Sequence, residues 1–253
     1  MRIYTLAQLL FALAVATPAC SVASEFSQPW KDVDAAIVLD PFAGNLIDWD
    51  KVATDKKVAA VIHKASEGLG QDAKYGSRRT EATRRGYRWG SYHLLTTADV
   101  GAQIGNYLTA TGIHPEETYA IDVECLDTSS ACKRPAFKVS VAQVEAALRA
   151  VKQRTGRLPL VYANHSVATV LSRSWTGKPE FRDARLWYAR FKATVSDFPT
   201  GPWSTYAIWQ FSSEINCMPT ACPYRVPGTA SDMDLNVFHD TPEQLRAAWP
   251  LNK

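Results

Sequence analysis

Short runs of apolar and β-branched residues recur along the chain, and polar or glycine-containing segments separate them. Runs of this length and composition are typical of buried strands. The pattern predicts eight strands, at 35–40, 58–66, 87–95, 118–124, 158–164, 185–191, 205–212 and 232–238.

Helical periodicity fills the gaps between the early strands. The clearest helix is predicted at 140–155, where apolar residues recur every three or four positions, Ser140 and Gln143 form a capping box and Gly156 follows the last turn. Other helices are predicted at 48–54, 75–86, 99–111 and near 165–172. This alternation predicts an α/β fold, an irregular (β/α) barrel of TIM type with eight strands and helices mainly between the first five.

Two carboxylates stand two positions apart in the apolar run "TYAIDVECL", at Asp122 and Glu124. Residues i and i+2 of a strand face the same side, so their Cβ atoms are expected about 6.5–7 Å apart. Two like charges on a buried face are costly unless they have partners or water. The alternative interpretation is a pair of structural acids, each held by a basic residue.

Further acids fall at the ends of other predicted strands. Asp40 ends the first strand, and Asp232 and Asp234 lie in the last. Strand ends that are distant in sequence meet at one mouth in a closed barrel, and chemistry in such barrels sits at the C-terminal strand ends. The pattern therefore predicts one acidic constellation, although strand ends also attract aspartate for structural reasons.

The N-terminus has the features of an export signal. Arg2 precedes an apolar stretch and then small residues, with "SVA" before Ser24 as the expected cleavage site, so residues 1–23 are predicted to be a signal peptide and the protein periplasmic or secreted. The alternative is a lipoprotein anchored at Cys20, but "TPAC" lacks the usual aliphatic residue three positions before the cysteine. Residues 24–34 are expected to be a short lead-in to one catalytic barrel at 35–253, without a membrane span in the mature chain.

The remaining cysteines form two pairs that are close in sequence. Cys125 with Cys132 and Cys217 with Cys222 are predicted to be disulfides, as expected in an oxidising compartment. Zinc binding by these cysteines is disfavoured, because no pair has the two-residue separation usual in zinc sites and few histidines lie near.

Composition narrows the classes of partner. Removing Arg2 lowers the formal net charge from +3 to +2, which is too mild to indicate a nucleic-acid partner. The five histidines show no paired or HExxH spacing, so no metal or other cofactor is expected. Eight tryptophans and ten tyrosines suit stacking on sugar rings, although many are expected in the core.

Eight segments, in order, resemble glycoside hydrolase family 25, the muramidases of Chalaropsis-lysozyme type. They are "IVLD…IDWDKV", "VIHKASEG", "GYRWGSYHLL", "YAIDVE", "LPLVYAN", "LWYARF", "IWQFSS" and "DLNVF". The resemblance implies an irregular (β/α) barrel that hydrolyses the β-1,4 bond between N-acetylmuramic acid and N-acetylglucosamine, with peptidoglycan as partner. We expect a monomer. The alternative is an inactive barrel that binds peptidoglycan or a protein partner.

The resemblance also implies roles for individual residues. Glu124 is expected to be the general acid and Asp122 the group that stabilises the reacting sugar or its acetamido group, with Asp234 and Asp40 as further catalytic candidates. A second set is expected to line or support the sugar site: Glu67, Tyr92, Tyr162, Trp187 and Trp209. The segment "DPFAGNLIDW" departs from the family's usual pattern after the first strand, which predicts a reshaped loop there.

Overall fold

Eight strands pair side by side around a closed barrel in the computed structural model, which describes residues 26–252. All eight overlap the strands predicted from the hydrophobic pattern. They are β1 Ala36–Asp40, β2 Val58–Glu67, β3 Arg88–Leu94, β4 Thr118–Val123, β5 Leu160–Asn164, β6 Leu186–Ala189, β7 Ile208–Ser212 and β8 Asp234–Phe238.

The barrel is parallel except at its last strand. Strands β1 to β7 run parallel in chain order, whereas β8 is antiparallel to both β7 and β1 and closes the ring between them. The start of β8 therefore lies at the same end of the barrel as the C-terminal ends of the other strands. We call this end the mouth and the opposite end the base.

Seven α-helices lie in the described part of the chain. They are α1 Trp49–Val52, α2 Tyr75–Arg84, α3 Val100–Thr111, α4 Val141–Thr155, α5 His165–Ser174, α6 Pro179–Arg182 and α7 Pro242–Ala248. The first five match predicted helices, and none occurs between β6 and β7 or between β7 and β8 in residues 26–252, as expected of the irregular final third. The short α6 and the C-terminal α7 were not predicted.

Side-chain interactions define where the clearest helices begin and end. In α4, Ser140 and Gln143 form the predicted capping box, and Gly156 follows in the left-handed conformation with φ 78°. Helix α5 begins at Asn164, whose side chain accepts hydrogen bonds from the backbone N–H groups of Ser166 and Val167. The missed α7 carries the same kind of signal, a capping box between Thr241 and Gln244 with Pro242 at its first position.

The strands alternate between two apolar cores. Ala36, Val38 and Trp187 belong to a cluster inside the barrel, whereas Ile37 and Leu39 pack in the larger cluster between strands and helices. The period of two along a strand explains this division. At the base, the segment around α7 completes the inner cluster by contributing Leu245, Trp249 and Leu251.

Smaller elements attach the connecting segments to the barrel. Two-residue strands pair Phe26–Ser27 with Thr194–Val195, Gly70–Gln71 with the end of β2, and Cys125–Leu126 with Lys138–Val139, and single 3₁₀ turns occupy Pro29–Lys31 and Pro135–Phe137. Within the predicted lead-in, Trp30 is buried and stacks on Phe211 at a ring-centroid distance of 4.3 Å. The described part of the lead-in is therefore packed onto the barrel.

Both predicted disulfides are present. Cys125 is bonded to Cys132 and Cys217 to Cys222, with Cα–Cα distances of 5.9 and 4.1 Å. Within residues 26–252, the helices are too short or too polar to cross a membrane. The predicted signal peptide at 1–23 and Cys20 lie outside the described residues.

Candidate active site

Four carboxyl groups meet at the mouth of the barrel, each delivered by a strand end. Asp40 ends β1, Asp122 lies near the end of β4, Glu124 directly follows β4, and Asp234 begins β8. Because β8 is antiparallel, Asp234 pairs in register with Asp40. Together the four acids line one small cavity of about 50 Å³.

Aromatic residues and one glutamine complete this cavity. Tyr92, Tyr162, Trp187 and Gln210 are its remaining lining residues. Three of these four were predicted as sugar-site residues. The structure thus brings together seven of the nine catalytic and substrate-binding candidates named from the sequence.

Gln210 is the lining residue that the sequence analysis missed. Its side-chain oxygen accepts a hydrogen bond from the Tyr162 hydroxyl at 2.8 Å, and its amide nitrogen donates to Asp40 Oδ2 at 2.9 Å. Gln210 therefore fixes Asp40 and Tyr162 relative to each other. A polar residue in the middle of the apolar run "IWQFS" was the available signal.

The structure places Trp209 away from the cavity. It is fully buried in the outer core, its Nε1 donates to the Arg190 carbonyl at 2.7 Å, and its ring packs edge-on against Trp30 at 5.2 Å. Trp209 therefore does not line the cavity, because adjacent residues of a strand face opposite sides, and its neighbour Gln210 lines it instead.

Trp187 and the two tyrosines form a fixed aromatic wall. Trp187 contacts Tyr162 and Tyr92 edge-to-face at ring-centroid distances of 5.2 and 5.9 Å. Its Nε1 donates to Asn236 Oδ1, and Asn236 in turn donates to the Val38 carbonyl. These contacts hold the rings in place before any ligand arrives, which reduces the entropy cost of binding.

Burial and the charges of neighbouring acids raise the proton affinity of the three aspartates. Burial raises the pKa of Asp40 and of Asp122 well above the usual range, and the charges of Asp234 on Asp40 and of Glu124 on Asp122 add to it. Burial also raises the pKa of Asp234, with further contributions from Glu214 and Glu124. The cluster therefore retains protons at a pH where isolated carboxylic acids are ionised.

Glu124 differs from the buried aspartates because it is only partly buried. Burial raises the pKa of Glu124, Arg134 opposes that shift and Glu214 adds to it. A carboxylic acid that keeps its proton and still reaches the cavity edge can donate that proton to a bound oxygen.

Three aspartate oxygens in the cluster have no hydrogen-bond partner. Oδ1 of Asp40, of Asp122 and of Asp234 is buried and unpaired. Unpaired buried acceptors are costly, so they mark positions where a ligand or water would supply donors. Hydroxyl and amide N–H groups of a sugar are donors of this kind.

Lys64 is a cation whose charge reaches the acids of the cavity. Lys64 lowers the pKa of Asp122 against the larger effect of burial, and its Nζ lies 3.2 Å from Glu67 Oε2. Glu67 is exposed at the end of β2 and does not line the cavity, although its charge reaches Asp122 and raises the pKa of that residue. Glu67, which was expected to line or support the sugar site, therefore lies outside the cavity that the four acids line.

Hydrogen bonds hold the loop that follows β1. Asn45 accepts a hydrogen bond from the Phe42 N–H at 2.8 Å and donates to the Asp232 carbonyl at 2.9 Å. Arg78 donates to the carbonyls of Phe42 and Asn45. Asp232, which lies just before β8, therefore contacts this loop through its backbone carbonyl.

One group in residues 26–252 has side chains spaced to hold a metal ion, and it lies at the base. His114, Glu116 and Glu117 place potential ligand atoms within 4.8 Å of one another. Glu117 is already paired with Arg79.

The chain is similar to known proteins in both sequence and fold. Residues 42–218 match the family described as Glycosyl hydrolases family 25. No curated protein sequence matches the chain. Solved structures with the same fold include a bacterial lysozyme from Streptomyces coelicolor, with 23% identity and a TM-score of 0.65, covering 85% of this chain and 97% of the other.

Fungal proteins share the fold to a similar degree. A family 25 lysozyme from Aspergillus fumigatus has 21% identity and a TM-score of 0.65, covering 84% of this chain and 98% of the other. A muramidase from Acremonium alcalophilum has 21% identity and a TM-score of 0.63, covering 84% and 97%. At these identities the structural likeness establishes the barrel fold.

Proposed function

The chain belongs to glycosyl hydrolases family 25, and on that premise we propose that it is an exported muramidase that cleaves the β-1,4 bond between N-acetylmuramic acid and N-acetylglucosamine in peptidoglycan. The observation that carries this proposal is the group of four carboxyl groups in one small cavity, with only one of them next to a second, open cavity. Glycoside hydrolysis needs a protonated acid beside a second carboxyl group.

Glu124 is the general acid. Its pKa is raised by burial, so it is protonated at a pH where an exposed glutamate is ionised. It gives this proton to the leaving O4 of N-acetylglucosamine as the bond from that oxygen to C1 of N-acetylmuramic acid breaks. The resulting glutamate then takes a proton from the water that completes the reaction.

Asp122 stabilises the reacting sugar. Its buried Oδ1 lacks a donor, and the acetamido N–H of the substrate supplies one. A hydrogen bond to the charged form favours ionisation, so substrate binding lowers the pKa of Asp122 and leaves the proton on Glu124. The acetamido oxygen, polarised in this way, attacks C1 and retains the configuration after hydrolysis.

Asp40, Asp234 and the aromatic wall position the sugar. Asp40 is held by Gln210, and Asp234 faces it across the β1–β8 pair. Their unpaired oxygens accept hydrogen bonds from sugar hydroxyls, while Tyr92, Tyr162 and Trp187 enclose the ring. The two disulfides support an exported protein, because such bonds persist in oxidising compartments.

Digestion of purified peptidoglycan tests the proposal. Wild-type protein and Glu124→Gln are incubated with it, and the fragments are analysed by mass after reduction of their new ends. Wild type should release fragments ending in reduced muramic acid, and Glu124→Gln should be at least about 100-fold slower, since it removes the proton donor.

Glu116→Gln is the matched control. It makes the same chemical change at an exposed position at the base and should cleave like wild type. Full activity in Glu124→Gln would refute the assignment of the acid. Intact peptidoglycan after treatment with wild type would refute the muramidase itself.

A further inference from the structure

Basic residues are concentrated in one part of the chain. Residues 149–185 contain eight arginines and lysines and two acidic residues, a formal charge of +6, whereas the whole chain carries +3. The rest of the chain is therefore net negative, and the four acids of the mouth belong to it. This separation of charge makes the region 149–185 a candidate surface for an anionic partner.

Two cavities open in this basic region. The first, of about 420 Å³, has among its lining residues Trp175, Lys178, Pro179, Arg182 and Pro202. The second, of about 410 Å³, has among its lining residues Arg149, Lys152, Leu158 and Phe181. Both volumes fall within the range of ligand sites. The ends of α4 and α5 that lead into β5 and β6 form their walls, so both cavities lie towards the base, away from the four acids.

Helix α6 separates the two cavities. Phe181 lines one and its neighbour Arg182 lines the other, and the Phe181 ring stacks on Trp175 at a ring-centroid distance of 5.5 Å. Trp203 packs edge-to-face on Trp175 at 5.4 Å and donates from Nε1 to the Ala184 carbonyl at 2.7 Å. These contacts fix the cavities side by side, so one polymer can reach both.

Each cavity combines two cations with apolar side chains. Among the side chains that the structure describes, no acid lines either cavity. Guanidinium and ammonium groups bind carboxylates through charge-assisted hydrogen bonds, while aromatic, proline and leucine side chains suit small apolar groups. The lining therefore favours a ligand that carries carboxylates next to methyl groups.

Lys152 and Arg182 are well placed to meet an external anion, one at each cavity. Lys152 is exposed in the last turn of α4. Arg182 Nε lies 3.7 Å from Asp183 Oδ1, but both side chains are at least 70% exposed, so water screens that pair. Lys178, in contrast, is already paired with Glu145.

The stem peptides of peptidoglycan have the required chemistry, since they carry free carboxylates beside alanine methyl groups. While the mouth holds one glycan strand, the base faces the surrounding network and meets the peptides of another strand. Each exposed ion pair contributes little by itself, so useful binding needs several contacts at once. A polymer supplies them, because each contact raises the effective concentration of the next.

We propose that the two cavities on either side of α6 form a docking surface for the carboxylate-bearing stem peptides of a peptidoglycan strand other than the one held at the mouth. This inference rests on the proposed function for the identity of the polymer. It gives the enzyme a second contact that keeps it on the wall between cleavage events.

Binding to peptidoglycan with and without its peptides tests this surface. Lys152→Gln/Arg182→Gln removes one cation from each cavity, and Lys31→Gln/Lys56→Gln is the control, which removes two exposed cations outside residues 149–185. Both pairs are made in the full chain carrying Glu124→Gln, the parent protein, so that the polymer is not degraded. Dissociation constants are measured on immobilised peptidoglycan, on the same material stripped of peptides by an amidase, and on phosphatidylglycerol vesicles.

Lys152→Gln/Arg182→Gln should bind intact peptidoglycan at least about fivefold more weakly than the parent, because it loses half of the lining cations, and the control should stay within about twofold. The deficit should shrink as the salt concentration rises and should be absent on stripped strands.

Equal binding of the three proteins to intact peptidoglycan would overturn the docking surface. So would a deficit of the same size on stripped strands, or in the control, since net charge alone would then explain it. A deficit confined to the vesicles would make the surface a membrane contact and would overturn the assignment to stem peptides. Failure of wild type to cleave glycan strands, stripped or intact, would instead refute the proposed function without changing these affinities.

Discussion

The two ends of β4 carry buried acids that differ in the charge of their neighbours. Glu117, just before the strand at the base, is 2% exposed and paired with Arg79. Asp122, near the other end, is 7% exposed and has acids as its nearest charged neighbours in the cavity. Burial raises the pKa of both carboxyl groups, but at Glu117 an arginine opposes the shift, whereas at Asp122 the charge of Glu124 adds to it.

This difference separates a structural acid from a reactive one. A buried charge with a cation partner contributes to a specific fold, and its removal leaves the partner uncompensated. A buried acid surrounded by other acids destabilises the protein and persists where it serves a reaction. Glu117 thus has its cation in the free protein, whereas the aspartates at the mouth have unpaired oxygens to which a substrate can donate.

The largest effect is expected at the mouth. Asp122→Asn should lower kcat on peptidoglycan by about 100- to 1,000-fold, since it removes the charge that stabilises the reacting acetamido group in the proposed mechanism. The same variant should unfold at a temperature equal to or above that of wild type, because it relieves repulsion with Glu124. Turnover rates and thermal unfolding measured on one preparation give both values. A variant that loses stability together with activity would place Asp122 with Glu117 as a structural acid.

At the base the opposite result is expected. Arg79→Met leaves Glu117 without its cation and should reduce the free energy of unfolding by about 1–3 kcal/mol at neutral pH. The loss should shrink at low pH, where Glu117 is protonated in the folded and unfolded states alike. Urea unfolding at several pH values measures it, and the double variant Arg79→Met/Glu117→Gln should regain part of the stability. A loss of the same size at every pH would show that Arg79 acts by packing alone.

Asp40→Asn tests how much the acid cluster reduces the stability of the folded protein, and a smaller effect is expected. The pKa of Asp40 is raised in the folded protein, so above the pKa of the unfolded chain the unfolded state releases this proton more readily and folding is penalised. Neutralisation should therefore stabilise the protein at pH 7, by about 0.5–2 kcal/mol. The gain should vanish below about pH 4, where the carboxyl is protonated in both states. Asparagine still offers an oxygen to Gln210, so the hydrogen bond at 2.9 Å is kept. A gain that persists at low pH would contradict the electrostatic origin.

The sequence predicted which acids lie at the mouth wherever the alternation of side chains along a strand determines the inner face. The i, i+2 spacing of Asp122 and Glu124 placed both on the inner face, and closure of the barrel brought Asp40 and Asp234 to them. Alternation gave no guidance within "IWQFS", because every residue there is buried and the apolar pattern does not show which residues face the barrel interior. For this reason Trp209 was assigned to the sugar site in place of Gln210. A shift of one residue exchanges the two faces of a strand.

Other features depend on tertiary contacts that no local pattern encodes. The Arg79–Glu117 pair joins α2 to the start of β4, and the two residues are 38 positions apart. The sequence around either residue does not indicate that the other is its partner. The open cavity beside Glu124 likewise requires the loop 125–132 to meet α5. Helix α7 is a different case, because Thr241, Pro242 and Gln244 form a readable start signal that the sequence analysis did not use.

The smallest expected effect concerns an exposed acid at the rim. Glu214 raises the pKa of both Glu124 and Asp234 by its charge, although it lies outside the cavity. In the proposed mechanism Glu124 must be protonated, so activity should decline as the pH rises through the pKa of that group. Glu214→Gln should lower this pKa and move the alkaline limb of the kcat profile to lower pH, with little change in the maximum rate.

Because Glu214 is exposed, salt screens its charge, and the shift between wild type and variant should decrease as ionic strength increases. Profiles at low and high salt, with Glu116→Gln as the control for loss of one acid elsewhere, measure the difference. An alkaline limb that does not move in Glu214→Gln at low salt would show that the charge of Glu214 does not reach Glu124. Burial and Arg134 would then set the proton affinity of Glu124, and the acids outside the cavity would play no part in the contrast with Glu117.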